Sequence, residues 1–72
     1  MTKIEAQALA LKEARKDRGD LVVLDDLTQE HDFGWVFFVN SPEFARSRNL
    51  SDAIPGAGAI IVDRDDGSVH GG

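Results

Sequence analysis

The 72-residue chain contains no cysteine. That rules out disulfides and every zinc site built on thiolates. Histidine is scarce. His31 and His70 lie far apart in sequence and offer no metal staple. Bases are also in short supply: eight Lys and Arg stand against thirteen Asp and Glu, for a formal net charge of −5. A nucleic-acid binder needs clustered Lys and Arg to neutralise phosphates, so DNA and RNA are disfavoured as partners. Anionic membranes are disfavoured on the same ground. No apolar run approaches a membrane span. The opening Met-Thr-Lys-Ile-Glu lacks the apolar stretch of a secretory signal, which makes the cytoplasm the expected location.

What remains is one small acidic domain, expected to span residues 1–72. A chain this short buries only about 60% of the surface that its unfolded state exposes. With disulfides and metals set aside, oligomerisation or partner binding is the remaining aid to stability. An acidic surface favours basic protein partners and speeds encounter with them.

Thr2 followed by Glu5 forms a capping box, and the next residues are good helix formers, so a helix is expected over 2–18. Gly19 is placed as its C′ residue. Ile4, Ala8, Leu11 and Ala14 follow helical spacing and are expected to be the buried stripe, with Ala6 and Leu9 pointing elsewhere. Residues 21–28 read as a strand, 29–32 as a polar turn, and 33–40 as a second strand dense in aromatic and β-branched residues. Ser41-Pro42 ends that strand, and Ser41 is also a candidate cap for a short helical turn with Pro42 at its first position. Residues 43–58 read as irregular or as containing that turn. A third strand is expected over 59–64, then a turn at Asp65-Asp66-Gly67 and the stub of a fourth strand from Ser68. The expected fold is α+β: one N-terminal helix packed on an antiparallel sheet of three or four strands.

The strands do not alternate as a one-sided sheet should. Phe33, Trp35, Phe37 and Val39 fall on one face of the second strand, Val36 and Phe38 on the other. Ile61 opposes Ile60 and Val62. One helix covers one face. The second face needs either the segment 41–58, through Phe44, Leu50 and Ile54, or another molecule, a homodimer partner included.

No catalytic constellation can be assembled. Asp25, Asp26, Glu30 and Asp32 form an acidic patch at a strand end and turn, where water solvates them, so acid–base work is disfavoured and partner contact is the better role. Asp63 to Gly67 lacks the spacing of a calcium loop. Gly56-Ala57-Gly58 precedes a strand and lacks the third glycine of a dinucleotide site. No catalytic residue, metal or cofactor is expected. Trp35 and Phe37 are expected to anchor the core, or to serve as binding hot spots.

Gly34-Trp35-Val36-Phe37-Phe38 follows a polar turn and leads into Ser-Pro-Glu-Phe at 41–44. Ala53-Ile54-Pro55-Gly56-Ala57-Gly58 follows, then Ile60-Ile61-Val62-Asp63-Arg64 and Asp66-Gly67. Over roughly residues 3–70 this order resembles the YrhB-type domain, or immunity protein 35 family, with Trp35, Phe37, Gly56, Ile61 and Gly67 as motif positions. The resemblance implies a protein that binds and blocks a bacterial toxin made by the same cell, and the lack of a catalytic constellation makes a non-enzyme the expectation. It also implies a chaperone-like activity. Asp25, Asp26, Glu30, Asp32 and Phe38 are the expected partner contacts. A small chaperone-like or structural module that binds unfolded proteins and an accessory subunit of an enzyme are the alternative functions.

Overall fold

A computed structural model describes residues 1–16, 18–54 and 58–71. Helix α1 (Lys3–Ala14) is followed by β1 (Val22–Val23), β2 (Gln29–His31), β3 (Gly34–Asn40), α2 (Pro42–Ser47), β4 (Ala59–Asp63) and β5 (Val69–Gly71). Single 3-10 turns cover Asp25–Leu27 and Leu50–Asp52. All strand pairs are antiparallel, in the order β1-β3-β4-β5, with β2 also on β3. The α+β expectation therefore holds, with five strands among the described residues where three or four were expected.

Helix α1 starts where its capping box predicts. Thr2 Oγ1 accepts from the Glu5 backbone N–H at 3.2 Å, and Glu5 Oε1 accepts from the Thr2 N–H at 3.1 Å. The Thr2 contacts hold the Glu5 carboxyl below its ordinary range. The helix is shorter than expected and ends at Ala14 with Arg15 as its C-cap, so Gly19 is not the C′ residue. The buried stripe also differs from the expected one. Ala6, Ala10 and Ala14 are buried, whereas Ile4 is 83% exposed and Ala8 faces water. The reason is steric. The sheet presents Trp35 and Phe37 to the helix, and alanines let the two backbones approach around those rings. Leu9, at the flank of the alanine stripe, packs against the same core.

The expected strand 21–28 is broken. Its first part pairs Val22 with Asn40 and Val23 with Val39. A 3-10 turn at Asp25–Leu27 then interrupts it, and the chain rejoins the same edge of β3 as β2, where Gln29 pairs with Val36 and His31 with Gly34. The expected turn 29–32 is thus mostly strand, and Asp32-Phe33 alone forms the hairpin tip. Gly34 makes this tip possible. Its φ is 147°, and a Cβ there would stand 2.0 Å from the Val62 carbonyl oxygen on β4.

The core lies between α1 and one sheet face: Trp35, Phe37 and Val39 from β3, Ile60 and Val62 from β4, and Leu21 before β1. The other face carries Val36, Phe38, Ala59 and Ile61, all half-buried. The segment after β3 does not cover it in the expected way. Leu50 is 83% exposed and Ile54 packs against the helix-side core, while Phe44 is half-buried in α2, which packs on the second 3-10 turn. Two side chains at the end of β3 hold this segment. The Asn40 side-chain oxygen accepts from the Ser41 and Ile54 backbone N–H groups, each at 2.8 Å. Ser41 caps α2 by accepting from the Phe44 N–H at 3.1 Å, and it donates to the Asp52 carbonyl at 2.8 Å.

Candidate interaction surface

The four acids singled out in the sequence do not converge. They run along the β1–β2 edge of the sheet. Leu24 donates its N–H to the Phe38 carbonyl, and Asp25 and Asp26 follow in the 3-10 turn. Glu30 lies opposite Trp35, three β3 positions away, or about 10 Å along the strand. Asp32 occupies the hairpin tip. All four are exposed.

Two of these acids hold the fold's own cations. Asp26 accepts a two-pronged contact from Arg48, at 2.5 and 3.1 Å. Arg48 is the C-cap of α2 in the left-handed conformation, so this pair ties α2 to the first 3-10 turn. The Arg48 guanidinium holds the Asp26 carboxyl below its ordinary range, and Asp26 in turn raises Arg48. Glu30 accepts from Arg64 Nη2 at 2.8 Å, and the same nitrogen donates to the His31 carbonyl at 3.2 Å. Asp25 and Asp32 have no ion pair among the described residues. Spacing could not reveal these assignments, because Arg48 and Arg64 are remote in sequence from their acids.

Trp35 and Phe37 are core residues, 3% and 0% exposed. Ile61 and Phe38 lie on the second face, away from α1. Gly67 has φ 71° in the β4–β5 turn, where Asp63 Oδ1 accepts from the Asp65 N–H at 2.8 Å. Ser68 donates its N–H to Asp66, which lowers the Asp66 carboxyl from its ordinary range. Gly56 lies outside the described residues.

Phe33 was expected on the Trp35 face. It is instead 48% exposed at the hairpin tip, stacked on His31 with ring centroids 4.9 Å apart and planes 8° from parallel. The two-residue loop turns its ring out of the strand register. His31 Nε2 lies 3.0 Å from Gln29 Oε1, within hydrogen-bonding distance. An exposed ring this well supported is a candidate contact that sequence reasoning missed. A Phe directly before a hairpin glycine was the available signal.

Among the described residues no three His, Asp or Glu side chains gather as a metal site. Among the described residues no helix is long and apolar enough to cross a membrane. No curated protein and no solved structure matches the chain. The model of one protein family, immunity protein 35, matches residues 4–72 and so takes in all the strands and nearly all of α1. The chain belongs to the immunity protein 35 family.

Proposed function

We propose that the protein is an immunity-type inhibitor that binds a cognate bacterial toxin directly and blocks it in the cytoplasm of the producing cell. The family match over residues 4–72 carries this reading. The net charge of −5 supports a basic partner surface. The β1–β2 edge, with Asp25, Asp32 and the exposed Phe33 beside it, supplies contacts of the kind found at interfaces: an aromatic anchor with charges at its rim. The protein acts by occlusion, without chemistry of its own.

A second reading is a chaperone-like module, the activity implied by the resemblance to the YrhB-type domain. The half-buried apolar residues Val36, Phe38 and Ile61 on the uncovered sheet face favour it.

A tagged pull-down from the native cell, with bound proteins identified by mass spectrometry, separates the two. One dominant partner recovered near one-to-one supports the inhibitor. A spread of unrelated unfolded proteins supports the chaperone. Recovery of neither sinks both.

A further inference from the structure

The uncovered sheet face has a chemistry of its own. Strand register places Gln29 and His31 of β2, Val36 and Phe38 of β3, Ala59, Ile61 and Asp63 of β4, and His70 of β5 on it. Among the described residues none of these strand positions carries a Lys or Arg. The one strand-end base nearby, Arg64, lies across the Trp35 ring on the opposite face and is paired with Glu30. Phe33 extends the face at the hairpin tip through its stack on His31.

The chain also divides its charge along its length. Residues 1–18, which contain α1, hold five Lys and Arg against three Asp and Glu. Residues 19–72 hold three against ten. Residues 19–72, which build the sheet, are therefore strongly acidic, whereas α1 itself is neutral, Lys3 and Lys12 standing against Glu5 and Glu13, and the basic surplus lies just past its end at Arg15, Lys16 and Arg18. Two copies meeting face to face would set acid against acid, which disfavours a symmetric dimer through this surface.

From this juxtaposition we infer that the open face, with Phe33 as its anchor, docks a cationic, apolar-bearing segment of a protein partner. This rests on the reading of the protein as a binder, and it adds which surface binds and what chemistry that surface takes. The segment sets apolar side chains on Val36, Phe38 and Ile61, and its Lys or Arg meet Asp32, Asp25 and Asp63 at the rim. The tip is pre-organised for the contact. Gly34 fixes the turn, the Phe33 carbonyl accepts from the Arg64 N–H at 2.8 Å, and the His31 carbonyl accepts from the Arg64 side chain. A rigid aromatic loses little conformational freedom on binding.

The test uses the intact protein, labelled with nitrogen-15, and a short synthetic peptide of alternating lysine and valine. A glutamate–valine peptide is the control. Amide shifts are expected over β2, the hairpin tip, the middle of β3 and β4, and to weaken as salt rises. Phe33→Ala is expected to lower the peptide's affinity about tenfold. Because Phe33 is half-exposed, that variant keeps the fold, and its unchanged spectrum elsewhere verifies this. Ile4→Ser, on the outer face of α1, is expected to leave affinity unchanged. Shifts confined to α1, equal response to the glutamate peptide, or no response overturns the inference. Sedimentation of the free protein adds a separate arm. Open-ended growth with concentration, the outer face of α1 of one copy on the open face of the next, would assign the face to a second copy and also overturn it. The pull-down is independent of both arms. A single toxin bound there by a protein that ignores the lysine peptide would keep the inhibitor reading and discard this surface.

Discussion

The guanidinium of Arg64 lies 4.7 Å from the ring centroid of Trp35 and closes the hairpin end of the core. The same side chain reaches Glu30 and the His31 carbonyl, so one residue joins β4, β2 and the aromatic core. A cation–π contact of this kind contributes about 1 kcal/mol. Arg64→Ala is expected to lower stability by about that amount and to shift Trp35 emission to the red. Trp35 is the only tryptophan, so urea unfolding followed by fluorescence reads both effects. An unchanged midpoint and spectrum would remove the contact from the account.

The alanine stripe of α1 sets a size limit. Ala10 is fully buried against the sheet, and Ala8 faces water. Ala10→Leu is expected to cost about 1–3 kcal/mol through overpacking. Ala8→Leu is expected to stay within about 0.5 kcal/mol of the parent. Equal effects at the two positions would mean that the helix sits on a different face.

Gly34→Ala combines an unfavourable φ with a collision against the β4 backbone. We expect a loss of about 3 kcal/mol or more, visible as a fall in the thermal midpoint. Gly19→Ala meets nothing within 4 Å and is expected to be harmless. A stable Gly34→Ala variant would show that the tip can rearrange.

Asn40→Leu keeps approximate volume and removes the acceptor of two backbone N–H groups. A loss of about 1–3 kcal/mol is expected, with faster amide exchange at Ser41 and Ile54. Unaltered exchange there would show that water substitutes for the side chain.

The Asp26 carboxyl, held down by Arg48, titrates below the ordinary aspartate value of 3.8. Its folded value is depressed, so its contribution to stability is present above 3.8 and is lost as pH falls through the folded value. Carboxyl NMR should place the midpoint below 3.8, and Asp26→Asn should remove this part of the acid sensitivity. A midpoint at or above 3.8 would show that the pair does not persist in solution.

Local signals in the sequence were accurate where one or two residues decide the outcome. Thr2 with Glu5 located the helix start, Ser41-Pro42 the start of α2, and Asp65-Asp66-Gly67 the last turn. The helix face was misread because spacing ranks Ile4 and Leu11 by hydrophobicity. The deciding quantity was the room left beside Trp35 and Phe37, which belongs to the sheet. The break in the first strand was hidden because Leu27 and Thr28 resume a strand-like pattern after Asp25-Asp26. The acidic run at 25–32 was legible as acidic and exposed. That Asp26 and Glu30 are taken up by Arg48 and Arg64 depends on long-range packing, which leaves no local trace.

The 3-10 turn between Val23 and Gln29 has a bearing on life at high concentration. A long, flat outer strand is a template on which another chain can add itself. Here the outer strands run only two residues in β1, three in β2 and three in β5. Among the described residues neither border of the sheet offers enough consecutive free backbone groups for a stranger to stitch onto. The molecule can therefore leave one broad surface uncovered for recognition and still resist the self-adhesion through backbone that usually accompanies an incomplete sheet.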